Sequence, residues 1–307
     1  MSSVAQERLA SLTKRFHSDR LHHGLLLRGD NLLFLEQAAK KLCREILKID
    51  EGASSHPDLF HLRPTGKARI ITVEKTRNLL NDLYRTGHQG SKKVAIIYEV
   101  DRMRKEAANA FLKTLEEPPP GTYLVLLTTR PYSILPTIRS RTLLVRLEEP
   151  SRENDTEEMS NWMESYRDWV ELLLDRQKLK QDRVAPVFMA YGLVEGLAGL
   201  IKKAADNSAK EALSNLSQDL DEKEKDAYES GLRRGIRSTM LKKISDNTRA
   251  LVTANNDNSA SLGRNGQKLA RVIKKLERIT GLLEVNLKED SALEDFFLSS
   301  LRIWSAK

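Results

Sequence analysis

The residues best suited to chemistry lie between Lys93 and Arg141. The run Val94–Asp101 (VAIIYEVD) is a buried strand ending in carboxylates, the shape of a Walker B segment, in which one carboxylate holds Mg²⁺ on a nucleotide and the next polarises water. Tyr98 stands where the metal-holding Asp is expected, with Glu99 and Asp101 still acidic, and a phenol is a poor ligand for a hard cation. The matching phosphate loop should follow the first strand, at Gly29–Glu36. A working loop is G-x-x-x-x-G-K-[ST]. Gly29 is present, but Phe34, Leu35 and Glu36 replace the second Gly, the Lys and the Ser/Thr, so Gly29 reads as a structural turn and Glu36 would repel phosphate. Farther on, Ile138-Arg139-Ser140-Arg141 offers two arginines one residue apart. Two readings stay open for them: an ordinary basic surface, or an arginine finger that stabilises charge on a phosphoryl group in a neighbouring subunit, worth roughly 10³ to 10⁵ in rate.

Other residue types point away from chemistry. The histidines His17, His22, His23, His56, His61 and His88 show no H-x-x-x-H or H-E-x-x-H spacing, and Cys43 is the only cysteine, so neither a metal nor a disulfide framework is expected. No cofactor is implied. Trp162, Trp169 and Trp304 fall in helical patterns as packing anchors. Lys40, Lys41 and Arg44 read as a solvated helix face that could add to attraction for DNA, and Asp219–Asp226 as a solvated helix face or turn.

Two regions must position these groups. In residues 1–150, strand-like runs at Leu25–Arg28, Ile70–Val73, Val94–Tyr98, Tyr123–Thr128 and Leu143–Leu147 alternate with helical patterns at Leu32–Ile49, Glu74–Tyr84 and Lys105–Glu117. Continuous apolar strands separated by helices predict an α/β doubly wound parallel sheet, with Pro118–Pro120 stopping the Lys105 helix. Residues 151–307 read as all-α, from the stripes Trp162–Leu174, Leu193–Ile201 and Leu269–Leu283, with Asn255–Gly266 a loop and Glu153–Glu158 a linker or helix start.

The chain carries 51 Lys+Arg against 43 Asp+Glu over 307 residues, a net charge of +8. Positions 1–150 hold 25 basic and 17 acidic residues and positions 151–307 hold 26 of each. The whole excess is therefore in the first region. No run approaches the roughly 18 apolar residues of a bilayer span, and the N-terminus lacks the apolar core of a signal peptide, so a cytoplasmic protein with no membrane partner is expected.

Val94–Thr142, with Ala107–Pro119 (AANAFLKTLEEPP) its most specific stretch and T-I-R-S-R after it, resembles the delta-prime family of bacterial DNA polymerase III clamp-loader subunits, within the AAA+ superfamily. His56-Pro57-Asp58 and Gly66-Lys67 also fit. The resemblance covers about residues 20–147, and beyond that only the helical collar, strongest from Leu269 to Leu301. It implies an AAA+ domain over 1–150, a shortened or missing lid at about 151–170, and a collar after it. Ser140 and Arg141 would form the finger motif, with Thr142 replacing the usual Cys, and Thr128 and Thr129 would fall at the sensor-1 position. Gly29, Leu35, Glu36, Tyr98, Glu99, Asp101 and Thr129 would make a degenerate nucleotide site. The implied role is a non-hydrolysing stator in DNA replication, without ATPase of its own, in a DNA-directed DNA polymerase holoenzyme. Its partners would be the ATPase subunits gamma/tau and the delta subunit, with the sliding clamp and primer-template DNA met through the complex. The family's four-cysteine zinc module is absent, as is its G-S-x-G-x-A lid turn. Two other readings are an active motor subunit, which would need nucleotide binding without the loop Lys, and a stand-alone basic DNA-binding protein.

Overall fold

Five short apolar runs form one parallel sheet because each is hydrophobic on both sides and needs a helical layer over each face. In the computed structural model, which describes residues 3–50, 56–66, 68–85, 92–148, 156–216, 221–254, 259–284 and 287–306, the chain opens with α1 (Ser3–His17), β1 (Gly24–Arg28), α2 (Leu32–Leu47), β2 (Leu59–Leu62) and α3 (Val73–Tyr84). It continues with β3 (Lys93–Ile97), a 3-10 turn at Val100–Arg102, α4 (Lys105–Glu116), β4 (Thr122–Thr128), α5 (Pro136–Arg139) and β5 (Leu143–Arg146). All pairings are parallel and the order is β2-β3-β4-β1-β5.

Period-2 alternation sorts the layers. Leu25 and Leu27 of β1 pack with Leu9 and Phe16 of α1 and Leu35, Leu42 and Ile46 of α2. Leu26 points the other way, with Leu79 and Leu83 of α3, Phe111 and Leu115 of α4 and Ile138 of α5. Asn31 starts α2 by accepting from the amides of Leu33 and Phe34, and Thr72 starts α3 by accepting from Lys75 N–H, each satisfying helix-end donors that would otherwise be orphaned.

The later chain is helical: α6 (Glu157–Leu174), α7 (Arg176–Gln181), α8 (Ala185–Leu216), α9 (Glu222–Ala254), α10 (Ser259–Glu284) and α11 (Glu289–Ser305). Two compact units result. One comprises residues 1–152 and 212–235, the other residues 153–211 and 236–307. The second has its own core, in which Trp162, Tyr166 and Trp169 of α6 pack with Leu197 and Ile201 of α8, Ile279 of α10, and Phe296 and Phe297 of α11. The two indoles are also anchored by hydrogen bonds, Trp162 Nε1 donating to Leu193 O and Trp169 Nε1 to Pro186 O.

Several elements differ from the sequence reading. Ile70–Val73 is not a strand: Ile70 and Ile71 make only isolated bridges to Thr65 and Met103, because Thr72 is already the cap of α3. The edge strand β2 and the first helix α1 carry weaker or shorter signals and were not read as elements. Within Asn255–Gly266, residues 259–266 are helical and 255–258 lie outside the described residues. The apolar stripe from Leu269 onward carries the helix through this polar segment, where Gly266 costs only about 1 kcal/mol. Finally, Ala185–Glu211 in α8 spans 27 residues with a hydropathy of 1.3 in its most apolar window. By length and composition it could cross a membrane, contrary to the expectation that no run approaches that; 28% of the window is buried, including Leu193, Leu197 and Ile201 in the bundle core.

Candidate functional site

The ends of β1, β3 and β4 deliver the sequence-singled residues to the C-terminal edge of the sheet, where open α/β sheets bind ligands. Gly29 follows β1, Tyr98, Glu99 and Asp101 follow β3, and Thr129 follows β4. Most of these groups are engaged by the chain itself. The α2 amides of Leu33 and Phe34 are taken by Asn31 Oδ1 at 2.9 and 3.4 Å. A Cβ on Gly29 would come within 2.5 Å of the Leu147 carbonyl oxygen, so glycine is required there by the close pass of the chain after β5. Leu35, at the position of the phosphate-binding Lys, is fully buried.

Glu36 is buried too, and its charge is met by Arg63, which donates to both carboxylate oxygens at 3.3 and 3.5 Å. The Arg63 guanidinium lies 3.3 Å from the centre of the Tyr98 ring and 5.4 Å from that of Tyr228. Burial alone would lower the Arg63 pKa, but Glu36, Tyr98 and Tyr228 together outweigh it and leave the guanidinium more firmly protonated than usual. Burial pushes the Tyr98 phenol well above its ordinary value. His61 Nδ1 is hydrogen-bonded to the Tyr98 hydroxyl at 3.1 Å, and desolvation, then Arg63, then Lys40, lower its pKa to about 4.

The carboxylates after β3 are likewise occupied. Glu99, held at φ 49°, pairs with Arg69, and Asp101 Oδ1 accepts from Thr128 Oγ1 at 2.7 Å. It is thus Thr128, not Thr129, whose hydroxyl links β4 to the end of β3. Arg69 in turn packs on α9, where a Cβ on Gly231 would meet its guanidinium at 2.8 Å. Lys75 bridges to Asp221 at 3.3 Å and Glu224 at 2.6 Å, and Gly66 N–H donates to Lys223 O at 3.0 Å. Burial opposes the charge on Lys75, but Glu224 and Asp221 raise its pKa overall. Of the cluster Asp219–Asp226 read as a solvated face, residues 219 and 220 lie outside the described residues, and Asp221, Lys223 and Glu224 tie the 221–235 segment to the rest of its own unit.

Ser140 and Arg141 are elsewhere. They precede β5, and because β5 runs parallel to β1 they sit at the N-terminal edge: the Arg141 carbonyl oxygen would lie 3.2 Å from a Cβ on Gly24, the first residue of β1. The five residues of β1 separate the edges by roughly 13 Å, at about 3.3 Å per residue. Arg141 is 35% exposed and rests against Glu116, its Nε donating to Oε1 at 2.5 Å, and its Nη1 donates to the Thr137 carbonyl at 3.0 Å and to Ser140 Oγ at 3.2 Å. Thr142 Oγ1 donates to Ile138 O at 3.1 Å. Among the described residues no group of three His, Cys, Asp or Glu could hold a metal ion.

Arg63, Arg69 and Tyr228 escaped sequence reasoning. The sequence shows Glu36 only as a residue that would repel phosphate; its burial, and with it the need for a cation, appears in the fold.

Residues 4–151 match the family described as DNA polymerase III, delta subunit. The chain is 32% identical over 146 residues to DNA polymerase III subunit delta-prime of Haemophilus influenzae, covering 43% of this chain and 44% of the relative. Identity to the Pseudomonas aeruginosa delta-prime subunit is 40% over 90 residues, covering 29% of this chain and 27% of that one. The chain thus spans less than half the length of these curated relatives. A solved gamma-subunit-related protein of Thermotoga maritima is 20% identical, with a TM-score of 0.46 and coverage of 97% of this chain and 99% of that one.

Proposed function

We propose that the protein, whose residues 4–151 match the DNA polymerase III delta-subunit family and are similar to curated delta-prime subunits, is a non-hydrolysing clamp-loader subunit that offers Arg141 to ATP bound on a neighbouring subunit. The observation carrying this reading is the separation of the two edges: Arg141 is about one strand length from this chain's own degenerate site, so a guanidinium there can serve only a phosphate brought by another chain. The plugged site supports the other half of the reading, since Glu36, Tyr98, Glu99 and Asp101 already have partners and Leu35 cannot neutralise a phosphate. The partners are then the ATPase subunits gamma/tau and the delta subunit, acting in the cytoplasm to load a sliding clamp on primer-template DNA, with the second unit as the collar.

The test is assembly of the chain with those ATPase subunits and single-turnover hydrolysis at the interface it completes. Arg141→Ala should leave assembly intact and lower that rate by about 10³-fold or more. Unchanged assembly with an unchanged rate removes the finger role.

A further inference from the structure

A groove of about 440 Å³ runs between α1 and α2. Its lining takes nothing from the degenerate nucleotide site or from the Ser140–Arg141 turn. Leu9 and Leu42, both buried, form an apolar floor with Ala10 and Thr13, while Lys14 of α1 and Lys41 of α2 stand exposed on the rim. Helical spacing builds it. Gln6, Leu9, Ala10, Thr13, Lys14 and His17 follow one another at intervals of one and three, so they share one face of α1. From Gln6 to His17 that face is roughly 16 Å long, at 1.5 Å per residue. Gln6 and Ala10 are exposed, so the groove is open along its length.

The rim carries one sign of charge. No carboxylate among the described residues lines the groove, and neither ammonium group has an ion-pair partner among them. Two unpaired cations on the walls of a concave apolar surface concentrate positive potential there, and an anionic partner answers it. A nucleic-acid strand fits poorly: its phosphates would lie over Leu9, Ala10 and Leu42, and no Phe, Tyr or Trp lines the groove to stack a base. A helix satisfies both features. Apolar side chains three and four residues apart lie on the floor, carboxylates beside them meet the lysines, and about three turns fill the length.

We propose that the α1–α2 groove docks an acidic amphipathic helix of a partner protein, its apolar stripe on Leu9, Ala10 and Leu42 and its carboxylates on Lys14 and Lys41. Part of the positive excess of residues 1–150 thereby has a protein partner instead of DNA. The docking is independent of Arg141 and of the role proposed for it.

A displayed library of random peptides of about 12 residues, the length of a three-turn helix, is selected on the full chain. The recovered sequences are titrated as fluorescent peptides, by anisotropy, against wild type, Lys14→Gln, Lys41→Gln, Ala10→Asp and Lys203→Gln, with a labelled oligothymidylate alongside. Lys203→Gln removes one exposed positive charge from the other unit. The recovered peptides should carry Asp or Glu beside apolar residues at helical spacing and bind saturably. Lys14→Gln and Lys41→Gln should each weaken them several-fold, Ala10→Asp about tenfold or more, by setting a like charge over the floor, and Lys203→Gln not at all. If Ala10→Asp does not fold, as judged by circular dichroism, Gln6→Glu replaces it, with a several-fold loss. Recovery of basic or uncharged sequences, no saturable binding, or equal losses for Lys203→Gln and the groove variants overturns the proposal. So does saturable binding of the oligothymidylate that Lys14→Gln and Lys41→Gln weaken, which assigns the groove to nucleic acid. None of these outcomes bears on Arg141.

Discussion

The two edges of one parallel sheet have opposite fates in this molecule. At the C-terminal edge, the groups that would hold a triphosphate are turned inward: Glu36 on Arg63, Asp101 on Thr128, Glu99 on Arg69, the α2 amides on Asn31. At the N-terminal edge, Arg141 stays partly exposed, held by Glu116 and by a carbonyl and hydroxyl of its own loop. The lesson lies in how each edge settles its charges: the buried Glu36 near the start of α2 is neutralised by Arg63, whose guanidinium takes aromatic cover from Tyr228 on a helix more than 100 residues downstream, while the other edge keeps a polar group facing outward.

The contrast can be broken by experiment, and the largest effect is catalytic: under the proposed finger role, Arg141→Ala should cost the neighbour's hydrolysis about 10³-fold. Next in size is Arg63→Met, which strands Glu36 as a buried unpaired charge and should destabilise the first unit by about 3–5 kcal/mol in urea unfolding. A loss below about 1 kcal/mol would mean that Glu36 is not sealed in as described. Leu35→Lys with Glu36→Thr should fail to create Mg²⁺-dependent ATP binding in equilibrium dialysis, because Asn31 and Arg63 still fill the place; tight binding would show that the loop residues alone had abolished the site.

A smaller effect is set by pH. His61 has a folded pKa of about 4 against an ordinary value of 6.5, so between those values the unfolded chain binds a proton that the folded chain does not, and stability falls as pH drops through this window. Because His61 lies on an edge strand with its side chain exposed, solvent screening reduces the loss to on the order of 1 kcal/mol, and His61→Gln should flatten that part of the stability–pH curve relative to wild type. Least of all, Glu116→Gln should change stability by under about 0.5 kcal/mol. Its value is diagnostic for the proposed role: if freeing Arg141 from this exposed pair alters the neighbour's hydrolysis several-fold while Lys203→Gln does not, the Glu116 contact sets where the Arg141 guanidinium rests.

The strands of the first region and the helices of the second were legible in the sequence because hydrophobic period is local. Val94–Ile97 needs both faces covered wherever it sits, and Trp162, Tyr166 and Trp169 share one helix face by spacing alone. The failure of the phosphate loop was legible for the same reason, as Phe34, Leu35 and Glu36 occupy adjacent positions. Short or edge elements were less so: β2 is only four residues long, and Ile70–Val73 looked like a strand because β-branched residues there serve a turn and a helix start. What the sequence determined, then, is the α/β and helical character of its two regions, the defect at Gly29–Glu36, and the presence of Ser140–Arg141 before the last strand. Tertiary structure alone decided that Arg63 answers Glu36, that residues 212–235 close on the α/β unit through Lys75, Arg69 and Gly231, and that Arg28 and Arg146 meet across strands 118 positions apart in register. Such pairings depend on chain crossings and strand register, which no local pattern of residue types encodes.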